Sequence, residues 1–306
     1  MRTCDARSDG GQWGGKMTTV GIIGLGKIGM PIAVSLIGAG HEVIGYRRSA
    51  PEDFERAGGK IGRSPADVGA QADIVLSCLP SEDALDHVVE GPDGLLRSAR
   101  PGQIIAELGS HSLARKESHI APFAAKGATF IDGEVSGTPG MIASRKGAIY
   151  LSGDEAACRR LEPLMRNVTD NVLVLGKFGT ASKTKLINNM LVTIHIAAAA
   201  EAVALGIAAG LDPEVFINAV VSGSGGSTQF AVRAPWMAAR RFLPAEGDPE
   251  GLIHYFGLIS EFADSVGLST PLLDKAAETF QRAIDAAFGK HDDAVLVDFA
   301  NGVERP

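Results

Sequence analysis

The chain has few cysteines, few aromatic residues and no excess of positive charge, and each shortage excludes a class of protein. Three cysteines in 306 residues, without regular spacing, provide neither a disulfide framework nor a zinc site. We interpret Cys78, in an apolar run, as a small core residue and expect a reducing, cytoplasmic location. Acidic residues number 36 against 29 lysines and arginines, so no nucleic-acid-binding surface is expected.

The hydropathy pattern of the sequence also predicts neither a secretory signal nor a membrane span. Residues 1–16 are polar and glycine-rich, without the apolar run of a signal peptide, and we interpret them as a disordered extension. The segment Met190–Leu211 has the length of a span. However, it contains His195 and Glu201 and a run of weakly apolar alanines, so it predicts a long buried helix and no membrane association.

Glycine, in contrast, is abundant, and three glycines near the start form the most informative motif. An apolar strand ends at Ile23, and Gly24, Gly26 and Gly29 follow with G-x-G-x-x-G spacing. A helix and a second strand, which ends at Tyr46, complete a βαβ unit. In this context the glycines permit a tight turn, close approach of a pyrophosphate and close helix–strand packing. The pattern predicts a dinucleotide site at a helix N-terminus.

The residues after the second strand indicate which dinucleotide is bound. An NAD site places Asp or Glu there for the ribose hydroxyl, whereas this chain has Arg47, Arg48 and Ser49. Two guanidinium groups and a hydroxyl suit a 2′-phosphate. The alternative is a solvated arginine pair. We therefore expect NADP(H) as the cofactor, with NAD(H) less favoured.

Strand and helix signals alternate in the first half of the chain and are followed by helix signals alone. Repeated βα alternation predicts a parallel sheet covered by helices. The predicted strands span 20–23, 42–46, 74–79, 103–108, 128–132, 148–152 and 172–175, and one helix is predicted from residue 113 to about Lys126. The fold class is therefore α/β: a Rossmann-type doubly wound sheet over residues 17–180, joined by a long interdomain helix to a helical domain over 181–306.

Two segments carry groups suited to chemistry. Asp132–Gly140 is predicted as a strand-to-helix loop whose N–H groups and Ser136 hydroxyl suit a carboxylate or carbonyl, although an ordinary turn-rich connection is an equal alternative. Lys185 and Asn189 lie one turn apart on one face of an apolar helix. A neutral lysine amine can take the proton of an alcohol as hydride leaves. The alternative is a lysine that extends to solvent beside a surface asparagine.

Together these residues resemble the β-hydroxyacid dehydrogenase family, over about Thr18 to Gly302. The matching motifs are Gly24–Pro31, Cys78–Pro80, Gly109–Ser112, Asp132–Gly137 and Gly179–Asn189. The resemblance implies an active site between a Rossmann domain and a helical domain, a hydroxy acid or carbonyl substrate, and a homodimer or homotetramer.

The resemblance also implies roles for individual residues. Lys185, not Lys183, matches the catalytic lysine, and Asn189 flanks the reacting oxygen. The expected substrate contacts are Ser136, Gly137, Thr138, Thr228 and Phe256. The expected cofactor contacts are Gly24, Leu25, Gly26, Lys27, Ile28, Gly29, Arg47, Arg48, Ser49, Cys78, Leu79, Pro80 and Ser110.

Three positions depart from the family pattern. Gly109 replaces the usual serine, and Thr228 stands where a bulky aromatic is frequent. Counting back from Pro271 places Phe256-Gly257 where the family carries Lys-Asp. The changes at Thr228 and at Phe256-Gly257 favour a hydroxy acid that is larger or less polar than tartronate semialdehyde, or another carbonyl compound.

Three other readings are weaker. Imine reductases look similar over the whole chain but typically carry Asp or Tyr at the position of Lys185. A 6-phosphogluconate dehydrogenase would need a much larger helical domain. A non-enzymatic NADPH-binding module would not need both Lys185 and Asn189.

Overall fold

A computed structural model describes residues 18–48 and 52–300 of the protein. The expected N-terminal extension and Ser49 lie outside these residues. The first part of the described chain forms an eight-stranded sheet with the order β3-β2-β1-β4-β5-β6-β7-β8. Its strands are β1 (Thr19–Ile23), β2 (Glu42–Tyr46), β3 (Lys60–Ile61), β4 (Ile74–Ser77), β5 (Ile104–Glu107), β6 (Thr129–Ser136), β7 (Ala148–Ser152) and β8 (Asn171–Val174).

Helices cover both faces of this sheet, as the βα alternation predicts. They are α1 (Gly29–Gly38), α2 (Glu52–Arg56), α3 (Pro65–Gln71), α4 (Glu82–Glu90), α5 (Leu113–Ser118), α6 (Ile120–Ala124), α7 (Pro139–Ala143) and α8 (Glu155–Met165). One apolar cluster joins the sheet to α1, α7 and α8, and the other joins it to α3, α4 and α6. The predicted doubly wound α/β fold is confirmed.

Local signals account for several helix ends. Ser64 and Ser81 accept hydrogen bonds from the backbone N–H groups of Asp67 and Ala84, and so cap α3 and α4. The single helix predicted to end near Lys126 is wrong, because α5 ends at Ser118 and α6 starts at Ile120. Pro122 explains the break, since it has no N–H to donate to the carbonyl of Ser118.

The strand β6 is longer than predicted. The sequence places the end of this strand at Asp132 and a loop after it, but β6 continues to Ser136 and pairs antiparallel with β7. Every other strand pair in the sheet is parallel. Because these residues pair with β7, the segment expected to be a loop is buried sheet as far as Ser136. The irregular turn begins only at Gly137.

Between Leu175 and Ala300 the described chain contains helices and no strand. The helices are α9 (Thr180–Ala208), α10 (Pro213–Ser222), α11 (Thr228–Ala238), α12 (Pro249–Ser265) and α13 (Pro271–Asp285). By length and hydropathy α9 could cross a membrane, a property that it shares with core helices of globular domains. One face packs in the helical core through residues such as Ile196 and Val203, whereas Ile187, Leu191 and Leu205 are exposed. The expected burial of α9 therefore holds for one face.

A buried lysine organises the junction between sheet and helices. The Nζ of Lys116 donates to Asp132 Oδ1 at 3.0 Å, to the Gly133 carbonyl at 3.0 Å and to Glu134 Oε1 at 2.9 Å. The three charged side chains are almost completely buried. Burial lowers the pKa of Lys116, but the two carboxylates overcome this effect and hold the pKa above its ordinary value.

The same cluster holds the first turn of α9. Gly179, the residue before α9, has no side chain to cap the free N–H groups of the helix. Instead, Asp132 Oδ2 accepts from the N–H of Ser182 at 3.0 Å, and Ser152 Oγ accepts from the N–H of Ala181 at 2.9 Å. A carboxylate there also interacts favourably with the helix dipole. Strand β6 thus fixes α9 three residues before Lys185.

We expect Lys116→Met to destabilise the fold by about 3–5 kcal/mol, because it leaves two buried carboxylates without their cation. Urea unfolding measures the change, with the exposed Lys126→Met as control. Adding Glu134→Gln to Lys116→Met should recover part of the loss, since it removes one of the unpaired charges. A loss no larger than that of the control would contradict the central role of this cluster.

Candidate active site

A cavity of about 830 Å³ lies at the carboxyl ends of β1, β2, β4 and β5. This is the edge where open parallel sheets bind ligands. Most of the predicted cofactor contacts line it, namely Gly24, Leu25, Gly26, Lys27, Ile28, Arg47, Arg48, Cys78, Leu79, Pro80 and Ser110. The helix α1 starts beside this cavity with no side-chain cap and no acidic residue in its first turn, so its N-terminus suits a phosphate.

The three glycines meet different steric demands. Gly24 has a φ of 93°, and a Cβ there would lie 2.2 Å from the carbonyl oxygen of Cys78. A Cβ on Gly29 would lie 2.0 Å from the carbonyl oxygen of Gly24, whereas one on Gly26 would meet nothing within 4 Å. Gly26 therefore leaves the space that a pyrophosphate needs. Gly29 does not line the cavity, so its expected cofactor contact is corrected to a packing role.

The two arginines after β2 have different surroundings. Arg47 forms an ion pair with Asp53 at 2.9 Å and donates to the carbonyl of Leu25 at 3.2 Å. Arg48 lines the cavity and is exposed. Both arginines thus place positive charge beside the cavity after β2, and the carboxylate of Asp53 competes with any bound phosphate for Arg47.

A second cavity of about 730 Å³ lies between β6 and the helical domain. Its walls contain the predicted substrate residues Ser136, Gly137, Thr138, Lys185, Asn189 and Thr228. Ser136 ends β6, and Gly137 follows with a φ of 141°. The structure therefore brings the two segments selected from the sequence to one cavity, although they lie about 50 positions apart.

Lys185 and Asn189 face this cavity from one side of α9. Their exposed fractions are 6% and 5%. Burial lowers the pKa of Lys185, and the charge of Glu134 partly opposes this shift. The amine lies 5.9 Å from the ring centre of Tyr255 on α12. Burial thus favours the neutral form of this amine, which can accept a proton.

Phe256 does not contact either cavity, which corrects the sequence-based expectation. Its ring packs in the helical core against Phe280, with centroids 5.3 Å apart. The residues of α12 that reach the cavities are Gly251, Leu252, His254 and Tyr255. Burial lowers the pKa of His254. The buried positions Phe256, Ile259 and Ala263 have helical spacing, and this periodicity would have assigned Phe256 to the core.

The departure at Gly109 has a steric reason. A Cβ at this position would lie 2.6 Å from both Glu107 Oε1 and His111 Nε2. The N–H of Gly109 donates to Glu107 Oε1 at 2.7 Å. The buried pair of Glu107 and His111 therefore occupies the space that a serine side chain would need.

Comparison with known proteins agrees with this architecture. Residues 19–176 match the model of the NAD binding domain of 6-phosphogluconate dehydrogenase, and residues 179–299 match the model for NAD-binding of NADP-dependent 3-hydroxyisobutyrate dehydrogenase. The L-threonate dehydrogenase of Cupriavidus necator is 30% identical over 290 residues, which cover 94% of this chain and 97% of the relative.

Solved structures show the same relationship. The 3-hydroxyisobutyrate dehydrogenase of Salmonella typhimurium superposes with a TM-score of 0.80 at 27% identity and covers 92% of this chain and 99% of its own. An imine reductase of Myxococcus stipitatus, in complex with NADP+, has a TM-score of 0.60 at 20% identity, covers 92% and 99% of the two chains, and shares the fold. The family models and the extent of the match to threonate dehydrogenase show that the chain belongs to the β-hydroxyacid dehydrogenase family, a group of NAD(P)-dependent oxidoreductases that act on CH–OH groups.

Proposed function

We propose that the protein interconverts a hydroxy acid and its carbonyl form with NADP(H), and that Lys185 is the general acid and base. One observation carries the proposal: the buried Lys185 faces a cavity that meets the dinucleotide cavity at Tyr255. The bound nicotinamide would supply the hydride chemistry. The protein must then bind the acid, orient the reacting oxygen and move one proton.

The two polar residues of α9 suit the last two tasks. The neutral amine of Lys185 can accept the alcohol proton in oxidation, and its ammonium form can return it in reduction. Asn189 lies one turn away on the same face and can donate to the same oxygen. Ser136 and the N–H of Gly137 lie across the cavity and are suited to a carboxylate.

The cavity wall also supports a substrate class. Beyond Lys185 the wall contains the apolar side chains Met141, Leu191, Val192, Ile196 and Leu252. From α12 the neighbour of the lysine is Tyr255, an uncharged phenol. The same cavity is also lined by the polar residues His195, Gln229, Arg233, Asp248 and Asp293. The apolar part of the wall supports a hydroxy acid with a longer or more apolar chain than tartronate semialdehyde.

We further propose that the protein forms a homodimer or homotetramer in the cytoplasm. Apolar side chains on α9 and α10 are more than 40% exposed, including Leu191, Leu205, Ile207, Val215 and Val221. Several exposed apolar side chains on successive helices are consistent with an interface between copies. Analytical ultracentrifugation tests the assembly.

Lys185→Met should lower kcat by about 10²–10⁴-fold, the range that a positioned acid or base contributes. NADPH affinity, measured by fluorescence, should change little. The exposed Lys183→Met, on the same helix, is the matched control. A Lys185→Met enzyme with near-normal kcat would contradict the mechanism and favour imine reduction.

The pH profile of oxidation should follow the same amine. Oxidation needs neutral Lys185, so kcat should rise with pH through a pKa that burial has lowered from 10.5. Stopped-flow measurement between mildly acidic and alkaline pH tests this sign. The rise of kcat with pH should be lost in Lys185→Met. A rise that persists in this variant would belong to another titrating group.

Removing both arginines should change the cofactor preference. Each charge-assisted contact to a phosphate is worth about 1.5–3 kcal/mol, so Arg47→Asp with Arg48→Ala should raise KM for NADP(H) by about tenfold or more. The kcat with NAD(H) should stay comparatively intact. Equal efficiency of the wild type with NADPH and NADH would contradict the cofactor assignment.

Ser136→Ala should raise KM for the substrate more than KM for the cofactor, because it removes one donor to the substrate carboxylate. Steady-state kinetics with each reactant varied in turn separates the two constants. Equal rises would mean that Ser136 supports the cofactor or the fold.

A further inference from the structure

One phenol hydroxyl lies where the two cavities meet. In the ranges 18–48 and 52–300, Tyr255 alone lines both cavities. Its hydroxyl donates to Ser110 Oγ at 3.2 Å, and its ring centre lies 5.9 Å from the amine of Lys185 on α9. Tyr255 therefore links α12 to the loop after β5 and to the polar face of α9.

The hydrogen bonds continue from Ser110 into the protein interior. Ser110 Oγ donates to Glu134 Oε2 at 2.6 Å. Glu134 is 1% exposed, and its other oxygen accepts from Lys116 at 2.9 Å. Two consecutive hydrogen bonds, each with a hydroxyl as donor, thus connect the junction of the cavities to a buried carboxylate.

The two carboxylates beside Lys116 are not equivalent. Burial raises the pKa of Asp132, but Lys116 and the hydrogen bonds from Ser182 and Ser152 outweigh it, and the pKa lies below its ordinary value. Burial raises the pKa of Glu134, and its fewer partners leave it above the ordinary value. Of the two carboxylates beside Lys116, Glu134 is therefore the one that gains a proton more readily.

The position of Lys185 creates a need for such a group. In each turnover the lysine must lose, or regain, the proton that it exchanges with the substrate. It is 94% shielded from solvent before any ligand fills the cavity, since its exposed fraction is 6%. An internal proton acceptor removes the need for bulk water to enter the closed site.

We propose that Tyr255, Ser110 and Glu134 form a proton relay that serves Lys185; the inference rests on the function proposed above. In oxidation the Lys185 ammonium gives a proton to the Tyr255 oxygen, the Tyr255 hydroxyl proton passes to Ser110 Oγ, and the Ser110 proton passes to Glu134 Oε2. Lys185 becomes neutral and Glu134 becomes a carboxylic acid. One proton is moved overall and no electrons are transferred. After the products leave, the proton returns along the same chain to Lys185 and passes from its ammonium to solvent, so that Glu134 starts each oxidation ionised. Reduction uses the reverse sequence.

The first step needs a rotation of the lysine side chain. The amine lies 5.9 Å from the Tyr255 ring centre, and the phenol oxygen lies outside that ring, on the edge that contacts Ser110. Rotation about the last carbon–carbon bonds of Lys185 would bring the amine to this oxygen. The other two steps use hydrogen bonds that are already formed.

The hydrogen-bonded chain is tested in the free protein. With tyrosine labelled at the ring carbon that carries the hydroxyl, the Tyr255 resonance is identified by its loss in Tyr255→Phe. Ser110→Ala and Glu134→Gln should both shift this resonance and leave that of Tyr46 unchanged. If neither substitution changes the chemical shift of Tyr255, the relay is overturned. This result does not depend on the identity of the substrate.

The transfer itself is tested by single-turnover oxidation in mixtures of H₂O and D₂O. Several protons in transit give a curved dependence of rate on deuterium fraction. Tyr255→Phe keeps the ring, and we expect a linear dependence and a rate lower by about 10–100-fold, a smaller loss than that of the general base. Glu134→Gln, which leaves Tyr255 in place, should also give a linear dependence. Tyr150→Phe, on β7 and outside both cavities, is the matched control.

The outcomes separate the relay from the proposed function. A curved dependence and a near-normal rate in Tyr255→Phe overturn the relay while Lys185→Met still tests the general base. A near-normal rate in Lys185→Met, combined with a slow Tyr255→Phe, contradicts the proposed role of Lys185 and assigns proton exchange to the phenol chain.

Discussion

The structure depends on the burial of one cation, Lys116, between two carboxylates. A buried charge is tolerated only when it is paired and its hydrogen-bonding groups are satisfied. Asp132 and Glu134 meet this requirement for Lys116. They also accept hydrogen bonds from Ser182 on α9 and Ser110 after β5, and so connect the cation to these neighbouring elements. The cluster therefore connects the sheet, the first turn of α9 and the Ser110 loop beside the first cavity.

This constraint explains the position of Lys185. The N–H groups at the start of α9 have no cap within their own helix, so their partners on β6 and β7 determine where the helix begins. Lys185 lies three residues after Ser182, less than one helical turn, and faces the cavity next to β6. A shift of β6 against the helix would move the lysine and uncap α9 together.

The sequence predicts well what is decided locally. The G-x-G-x-x-G turn and the shared face of Lys185 and Asn189 follow from neighbouring residues and helical spacing, and both are present. The extension of β6 depends on β7, a partner that local patterns do not reveal. The pairing of Lys116 with Asp132 and Glu134 spans 16 and 18 positions and joins a helix to a strand, and sequence reasoning missed it. Counting from Pro271 selected Phe256, although the periodicity of α12 assigns this residue to the core and its neighbour Tyr255 lines the cavities.

The central claim is that Lys185 exchanges the proton of the substrate beside Tyr255, where the two cavities meet. A crystal structure with NADP+ and a slowly reacting hydroxy acid tests it directly. The account predicts the substrate hydroxyl within about 2.6–3.2 Å of Lys185 Nζ, a distance that allows direct proton transfer. The nicotinamide ring should lie beside Tyr255, and the substrate carboxylate should lie at Ser136. A hydroxyl that contacts His254 or solvent, with Lys185 outside hydrogen-bond distance, would contradict the account.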